Sequence, residues 1–512
     1  MLIPESAVLA AILTAPAITA VLAFAVGRRA PWFMVRLGAL TAGVGFLGAA
    51  LLAAGAGRGE QAAAALGAAE FRVDRLTAVL LLLVFGVSAI VQTFAVRYLA
   101  GDPRAAWFAG GAGPLTAASA GLTAAGTLIT LAGCWTLAGL ALCLLLATYW
   151  QLPAARDGVR RTATAFVIGD LALWTAVVLA TATWGRIELG ANAQVEGMLV
   201  PVLGILVVLA ALSRSAQIPF HRWLPATLAA PTPVSALLHA GVVNAGGILL
   251  IRLAPLSTDD LARALTIAAG AATMIYGATV MLVKPDVKGE LAHSTTAQMG
   301  FMILTCGLGL WAAAVIHLFA HGFYKATLFL SSGSAIARHR RREALPPAAA
   351  PSGRERLVRA SAAVILPALA LGLALAAVPM PAGDHAAEQA LLIFAWVTGA
   401  AVMWGWLRRR PGPAAALAGL AVLAAAAASY VGIIGALSGF LAPALPPVGL
   451  SATSVWLLTA TALVALGALA VVRRSRGAVW LQRALYAGAL SAGHISPEPA
   501  PVPAPLPTGG RS

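Results

Sequence analysis

Charged residues are scarce in this 512-residue sequence. They make up 10% of it, whereas hydrophobic residues make up 60%. A soluble domain carries about a quarter charged residues. Apolar runs of about 18 or more residues recur along the whole chain, which is the pattern of helices that cross a bilayer. The composition therefore excludes an ordinary soluble protein and predicts an all-α polytopic membrane protein.

Cysteines and nucleotide-binding motifs are also few or missing. The three cysteines form no CxxC pair, which argues against a disulfide framework or a zinc site. The sequence has no Walker motif, no GxGxxG after a strand and no HExxH, so nothing indicates a bound cofactor, a metal or a catalytic site in this chain. The net charge of +16 is typical of cytoplasmic loops in a membrane protein, and we expect no nucleic acid partner.

Fifteen segments are long and apolar enough to cross about 30 Å of hydrocarbon, so we predict about 14–15 transmembrane helices. The first has neither a basic region before it nor a small-residue cleavage signature after it, and we expect a spanning helix there rather than a signal peptide. The predicted spans are 6–27, 37–56, 76–96, 114–132, 133–151, 162–184, 197–220, 234–255, 262–283, 290–309, 310–336, 358–379, 388–407, 413–440 and 450–472.

Basic residues alternate between the predicted loops and set an orientation. If the N-terminus lies outside, the inside loops contain 25 lysines and arginines and the outside loops contain 5. Positive residues are retained on the cytoplasmic side. We therefore predict a multi-pass protein of the cell membrane, in contact with the lipid bilayer, with its C-terminus in the cytoplasm.

Four regions follow from these spans. We expect N-terminal transmembrane helices over 1–110, an ion-translocating core over 111–410 and C-terminal transmembrane helices over 411–475. The remainder, 476–512, ends in "SPEPAPVPAPLPTGGRS" and is predicted to be a flexible, Pro-rich cytoplasmic tail.

Lysine is the rarest basic residue, because only three of the 34 basic side chains are lysines. One of them, Lys325, lies in the apolar stretch "HLFAHGFYK" behind His317 and His321. Four-residue steps advance a helix by about 6 Å, so the three side chains form a ladder about 12 Å long. Histidine can accept and pass on a proton, and lysine, unlike arginine, can release one. The pattern indicates a proton relay; the alternative is a lysine that only snorkels or pairs structurally.

Other ionisable residues are also predicted at membrane depth. Asp170, Arg214 and His239 lie within or beside spans, where an unpaired charge is costly, and we expect Asp170 to pair with Arg214. Prolines interrupt residues 212–247, as in broken helices that line ion sites, although an ordinary interhelical loop has the same composition. Lys288 and His293 approach the start of the following span.

The motifs resemble those of the proton-pumping antiporter superfamily, which includes membrane subunits of respiratory complex I and the Mrp cation antiporters. They are "RSAQIPFHRWLP", "APTPVSALLHA", "DVKGELAHST", "HLFAHGFYKATLFL" and "VIGDLALW". The segments "VRYLAGDP", "LLHAGVVNAGGILLIRLAPL" and "STTAQMGFMILTCGLG" resemble the DabB subfamily, the membrane subunits of two-component inorganic-carbon pumps.

This resemblance implies a fold and a function. It implies antiporter-like inverted repeats with broken helices, and ion translocation through Lys325, His321, His317, Lys288, His239 and Asp170. The family has lysine where Arg214 stands, and its helix-5 glutamate falls near Thr136; its charged residue in the second broken helix has no counterpart in 358–379. These departures favour a shorter path through Lys288, His317, His321 and Lys325.

The DabB resemblance further implies a partner, a large zinc-containing subunit similar to β-carbonic anhydrases, on the cytoplasmic side. In that reading a cation, H⁺ in preference to Na⁺, moves through this chain and drives CO₂ or bicarbonate handling in the partner. Two alternatives stay open. One is a proton-translocating subunit of an NADH- or hydrogenase-type complex or an Mrp antiporter, and the other is a passive membrane anchor.

Overall fold

The computed structural model describes residues 4–190, 197–334, 352–378, 386–409, 412–446, 451–475, 477 and 479–493. The predicted Pro-rich tail beyond residue 493 and the basic residues 338–342 lie outside these ranges. The described chain is helical apart from one hairpin, and it divides into two compact units. The first unit comprises Met1–Gly307, Leu318–Gly333 and Ala484–Ser512, and the second comprises Leu308–His317 and Ser334–Arg483.

The first unit contains the helices that carry most of the predicted site. They are α1 (Glu5–Val26), α2 (Pro31–Arg58), α3 (Arg75–Tyr98), α4 (Ala105–Ala124), α5 (Leu128–Leu146), α6 (Pro153–Trp184), α7 (Val200–Arg214), α8 (Thr232–Ala240), α9 (Ala245–Arg252), α10 (Ala254–Ser257), α11 (Asp260–Met281) and α12 (Val287–Gly307). Helix α13 (Trp311–Leu330) belongs to this unit from Leu318 onward.

Helix starts in this unit follow local sequence signals. The carboxylate of Asp74 accepts a hydrogen bond from the backbone N–H of Thr77 at 2.6 Å and caps α3. The hydroxyl of Thr127 caps α5 in the same way. Prolines stand in the first turn of α2, α6 and α8, where the missing N–H has no helical partner to lose.

The second unit contains four long helices and the start of the last one. They are α14 (Gly353–Ala377), α15 (Ala386–Arg409), α16 (Pro413–Leu441) and α17 (Ala452–Arg474), followed by α18 (Val479–Ala492), which passes into the first unit at Ala484. Small side chains bring α14 and α16 together, with Ala370 and Ala374 packed on Ala427 and Val431. Met403 of α15 packs on Ala363 of α14 in a second cluster.

Each of the fifteen predicted spans coincides with a helix or a helix pair, with one displaced. The segment predicted at 114–132 is wrong in position, because α4 starts at Ala105 and ends at Ala124. The Gly- and Ala-rich residues before 114 are helical, and Ala125 leaves the helix to bridge Phe71. By length and apolar composition alone, ten helices of the described chain can cross a membrane. The all-α, multi-pass fold is therefore confirmed.

A short β-hairpin replaces part of the loop expected between the second and third spans. Strands β1 (Ala62–Leu66) and β2 (Ala69–Val73) pair antiparallel, with Ala62 opposite Val73 and Leu66 opposite Ala69. Gly67, at φ 62°, provides the turn. The alanine-rich β1 has no alternating pattern of polar and apolar residues, so no period-2 pattern predicts a strand there.

Helices α11 and α12 approach closely because glycines face each other across the contact. A Cβ atom on Gly277 would lie 2.5 Å from the backbone nitrogen of Ala297, and one on Gly300 would lie 2.4 Å from that of Met274. Small residues allow such close backbone packing between membrane helices. The contact holds α12, which carries Lys288, His293 and Ser294, firmly against α11.

Candidate ion-translocation site

Lys325 is fully buried on α13, with 0% of its surface exposed. Its Nζ donates to the hydroxyl of Ser294 at 2.7 Å and to the carbonyl of Leu291 at 3.3 Å, both on α12. Among the residues that the structure describes, no carboxylate lies within ion-pair distance of this amine. Neutral oxygen acceptors can hydrogen-bond either protonation state of a lysine, so the site suits an amine that gains and loses a proton.

His321 lies one turn before Lys325 and contacts the backbone of α8. Its Nε2 is 3.0 Å from the carbonyl oxygen of His239 on α8. The His239 ring is buried, places Nδ1 3.1 Å from the hydroxyl of Thr295 on α12, and stacks on Phe329 with ring centroids 4.3 Å apart. Helices α8, α12 and α13 therefore bring His239, His321 and Lys325 together, as the sequence predicted.

His317 lies one further turn toward the start of α13 and is half-buried. The helix is continuous from Trp311 to Leu330. The predicted order His317, His321, Lys325 along one helix is therefore present.

Lys288 lies at the start of α12, beside the interrupted segment between α7 and α8. Its Nζ donates to the carbonyls of Ala230 at 3.0 Å and Leu228 at 3.3 Å. Both Lys288 and Lys325 lie close enough to His239 for their charges to act on its ring. Backbone oxygens that the broken helix leaves available thus hold the Lys288 amine.

Asp170 and Arg214 form the predicted ion pair. Nη2 of Arg214, at the end of α7, donates to Oδ1 of Asp170 on α6 at 2.8 Å. The arginine side chain is 1% exposed and the aspartate side chain 19%. The guanidinium carbon also lies 4.1 Å from the ring centre of Phe166 and 4.4 Å from that of Trp135, an arrangement that favours a permanent cation.

Trp135 hydrogen-bonds both members of this ion pair, a role that the sequence analysis did not predict. Its indole Nε1 donates to Oδ1 of Asp170 at 2.8 Å, and its carbonyl accepts from Nη1 of Arg214 at 3.0 Å. The neighbouring Thr136, where the family's helix-5 glutamate was expected, instead accepts from the indole of Trp174 at 3.0 Å. The sequence feature that could have indicated this polar contact is the Trp135–Thr136 pair within an otherwise apolar span.

The chain is interrupted after Arg214, as the prolines of residues 212–247 predicted. Ala216 is buried and has φ 51°, the left-handed region that non-glycine residues seldom adopt. The Ile218–Pro219 peptide is cis, and a 3₁₀ turn follows at His221–Thr227 before α8 starts. A second interruption at Gly241 separates α8 from α9, so the predicted span 234–255 is a broken helix.

A cavity connects the two interruptions. Arg214, Gly241 and Asn244 line it, together with Ser88 and Thr116 of α3 and α4. The hydroxyls of Ser88 and Thr116 are 2.7 Å apart, and Gln92 donates to Ser88 at 2.7 Å. These polar side chains lie among lining residues that are mostly apolar, such as Leu83, Leu115 and Ile248.

The sequence matches two family profiles. Residues 125–408 match the family described as "NADH:quinone oxidoreductase/Mrp antiporter, TM". Residues 68–109 match "NADH-Ubiquinone oxidoreductase (complex I), chain 5 N-terminus". The first match alone covers more than half of the chain, and it contains every predicted site residue.

Curated relatives include two kinds of membrane subunit. The chain is 37% identical over 356 residues to "Probable inorganic carbon transporter subunit DabB1" of Halothiobacillus neapolitanus, covering 65% of this chain and 63% of that protein. It is 35% identical to "NADH-quinone oxidoreductase subunit L" of Mycobacterium tuberculosis (strain ATCC 25618 / H37Rv), covering 52% of this chain and 43% of that protein. The chain thus spans less than two thirds of the length of these relatives.

Solved structures share the fold. The structure of the Mrp complex from Dietzia sp. DQ12-45-1b gives a TM-score of 0.56 at 23% identity and covers 98% of this chain and 64% of that one. The archaeal membrane-bound sulfane sulfur reductase gives 0.59 at 15% identity and covers 89% of this chain and 84% of that one. These likenesses, with the profile that matches residues 125–408, confirm the predicted superfamily, and the chain belongs to the NADH:quinone oxidoreductase/Mrp antiporter membrane family.

Proposed function

We propose that this chain is the membrane subunit of an inorganic-carbon transporter and that it conducts H⁺ through the polar residues around Lys325. The named DabB relatives support the substrate class. The family supports movement of a cation through the chain. The match to DabB1 covers 63% of that protein, against 43% for the M. tuberculosis subunit L, which favours the carbon transporter over the respiratory subunit.

The buried hydrogen bond from Lys325 to Ser294 carries the proposal. A permanent charge at this depth would be costly, whereas a lysine that exchanges its proton is charged only during part of a cycle. His321 and His239 lie next to it, and histidine accepts and releases protons near neutral pH. The proposed path therefore runs through Lys288, His239, Lys325, His321 and His317.

The Asp170–Arg214 pair has a different part in this proposal. Arginine keeps its proton at any working pH, so Arg214 is a fixed charge held by Asp170 and the two aromatic rings. It maintains an electrostatic field beside the cavity at Gly241 and Asn244 and does not itself transfer protons.

The proposed partner is a large, zinc-containing subunit similar to β-carbonic anhydrases, which would carry out CO₂ hydration, so that this chain is a transporter subunit without a catalytic site of its own. The N-terminus lies outside and the C-terminus lies in the cytoplasm. The partner then docks on the cytoplasmic basic residues within 338–359, 408–410 and 473–483, which suit an acidic surface.

Uptake of labelled inorganic carbon tests the proposal. The chain would be expressed alone, and together with a candidate large, zinc-containing partner subunit, in a host that lacks carbonic anhydrase. We expect uptake only with both proteins, zinc in the purified complex, and collapse of uptake on adding a protonophore. Uptake by this chain alone, or uptake that ignores the protonophore, would contradict the proposal.

The respiratory or Mrp alternative makes a different prediction. It is favoured by the subunit L relatives and by the Mrp fold. A subunit of that kind would assemble with quinone-module or small Mrp subunits and would support NADH-linked proton pumping or Na⁺/H⁺ exchange in vesicles. A passive anchor would support partner activity even when Lys325 is replaced.

A further inference from the structure

An open cavity of about 380 Å³ lies between the first half of α6 and the interrupted segment that follows α7. Asp157, Arg160 and Arg161 line it from α6. Phe220 and Arg222 line it from the start of the 3₁₀ turn. The two walls are distant in the sequence, so the tertiary fold alone brings these side chains together.

Close packing fixes the two walls relative to each other. A Cβ atom on Gly158 of α6 would lie 2.7 Å from the carbonyl oxygen of Ala226 in the 3₁₀ turn. Trp223, which also lines the cavity, is buried, and its indole donates to the carbonyl of Ser213 at 2.9 Å. The same indole meets the ring of Phe166 on α6 edge to face, with ring centroids 5.0 Å apart. The cavity is therefore a preformed feature of the fold.

The lining of the cavity is positively charged. Arg160, Arg161 and Arg222 contribute three positive charges and Asp157 contributes one negative charge, which gives +2. Asp157 pairs with Arg161 one turn away, whose Nε lies 2.8 Å from Oδ2 of the carboxylate. Arg160 and Arg222, one on each wall, are exposed. Guanidinium groups match the oxygens of phosphate in bidentate geometry, so the lining favours a phosphate group.

An apolar stripe on α6 continues from this basic lining. Ile168, two turns beyond Arg160, lines the cavity and is exposed. Leu171 and Val178 follow on the same face of the helix and are exposed as well. Because α6 is long and apolar enough to cross a membrane, exposed aliphatic side chains along it suit contact with lipid chains. An acyl chain can therefore run from the basic cavity along this stripe.

Both walls of the cavity are predicted on the same side of the membrane. Arg160, Arg161 and Arg222 are among the 25 basic residues of the predicted inside loops. Their presence in one cavity supports a common, cytoplasmic face for the two segments. Basic pockets between membrane helices on this side bind anionic lipid head groups.

We propose that the cavity is a binding site for an anionic phospholipid. Arg160 and Arg222 hold its phosphate, and an acyl chain lies along Ile168 and Leu171. The bound lipid bridges α6 and the interrupted segment at Trp223. A free anion such as phosphate or bicarbonate would meet the same arginines, but it is much smaller than the cavity and does not use the apolar stripe. The site goes beyond the proposed function, because lipid binding needs neither a partner nor transport.

Lipid binding to the purified full-length chain tests the site. Delipidated protein in detergent is titrated with phosphatidylglycerol or with phosphatidylcholine of the same acyl chains, and native mass spectrometry counts the lipids bound per chain. We expect one phosphatidylglycerol to bind about tenfold more tightly than phosphatidylcholine. Arg160→Gln combined with Arg222→Gln should abolish this preference. Arg156→Gln is the matched control, since Arg156 is exposed one turn earlier on α6 and does not line the cavity, and it should keep the preference.

A substitution on the apolar stripe separates a lipid from a free anion. Ile168→Asn places a polar amide on the acyl path and should weaken phosphatidylglycerol binding several-fold. Val167→Asn, at an exposed position of α6 outside the cavity, should leave it unchanged. Inorganic phosphate or bicarbonate in excess should displace little lipid. Full displacement by either anion, with no effect of Ile168→Asn, would assign the cavity to a free anion and overturn the proposal.

Thermal melting gives a second readout of the same site. A ligand that binds only the folded state raises its stability. Phosphatidylglycerol should therefore raise the melting temperature of the wild type and of Arg156→Gln but not that of the double arginine variant. If the double variant does not fold, the single variants Arg160→Gln and Arg222→Gln decide, each with a weakened preference. An unchanged preference in the arginine variants, the result expected if an acidic partner surface occupies the cavity, would overturn the proposal.

Discussion

Nη2 of Arg214 lies 2.8 Å from Oδ1 of Asp170, and the same carboxylate oxygen accepts a hydrogen bond from the indole of Trp135 at 2.8 Å. The carbonyl of Trp135 in turn accepts from Nη1 of Arg214 at 3.0 Å. The three side chains close a ring of contacts among α5, α6 and α7. An arginine that is fully buried is thereby neutralised by one carboxylate and fixed in one orientation.

The ring of contacts predicts that Asp170→Asn alone destabilises the protein more than Asp170→Asn combined with Arg214→Gln. Removing one partner of a buried ion pair leaves an uncompensated charge and costs about 3–5 kcal/mol. We expect Asp170→Asn to lower the thermal stability of the purified protein strongly, and Asp170→Asn combined with Arg214→Gln to recover most of the loss. Melting of detergent-solubilised protein measures both.

An exposed ion pair is the matched control for this comparison. Arg72 and Glu188 lie 2.9 Å apart with about half of each side chain exposed, and such pairs contribute about 0–1 kcal/mol. Glu188→Gln should therefore leave the melting temperature nearly unchanged. A double variant at 170 and 214 no more stable than Asp170→Asn would show that the two charges do not depend on each other.

Ser294 is predicted to tune the transport rate through Lys325. Its hydroxyl accepts the lysine hydrogen bond at 2.7 Å, and a hydrogen bond to a charged group contributes about 1.5–3 kcal/mol. Ser294→Ala should slow uptake about tenfold and change its pH dependence, while Ser294→Thr, which keeps the hydroxyl, should retain most activity. Equal rates in the Ala and Thr variants would show that the hydroxyl does not act on the lysine.

Asp74, which lies just before the start of α3, should make the stability of the fold depend on pH. Partial burial opposes ionisation of Asp74, but the charge of Arg252 and the N–H of Thr77 outweigh it and hold the pKa of Asp74 below its usual value. A lowered pKa stabilises the fold above about pH 4 and loses that effect as the pH falls further. The difference in melting temperature between wild type and Asp74→Asn should therefore shrink on acidification from pH 7. A difference in melting temperature that is the same at pH 7 and below about pH 4 would contradict a stabilising role for the Asp74 charge.

Much of the architecture could be predicted because membrane helices have a strong sequence signal. Long apolar runs can only satisfy their backbone as helices in lipid, and prolines after Arg214 marked the interruption that the structure shows. The predicted position of α4 was wrong because its glycine- and alanine-rich first half is less apolar than a typical span. Hydropathy alone therefore placed the start of the helix too late in the sequence. The β-hairpin was missed because β1, AAAAL, has no periodic pattern, and the alternation of β2, AEFRV, covers only five residues.

The arrangement of candidate site residues along a single helix could be predicted from the sequence. Contacts between residues of several helices were harder to predict. The His317, His321, Lys325 spacing follows from helix geometry, and the Asp170–Arg214 pair follows from the cost of a lone buried charge. The acceptor of Lys325 was not assigned, because whether Ser294 faces α13 depends on how α12 packs. Trp135 was missed for the same reason, since its two hydrogen bonds depend on three helices.

Substitution of Lys325 by arginine tests the central claim most directly. Lys325→Arg keeps a positive charge but cannot release a proton at a working pH, and Lys325→Ala removes the group altogether. In a host that expresses the complete complex, we predict that both variants insert into the membrane at wild-type levels and take up no inorganic carbon above background. Uptake by the Lys325→Arg variant at the wild-type rate would contradict the claim that this buried lysine exchanges a proton during transport.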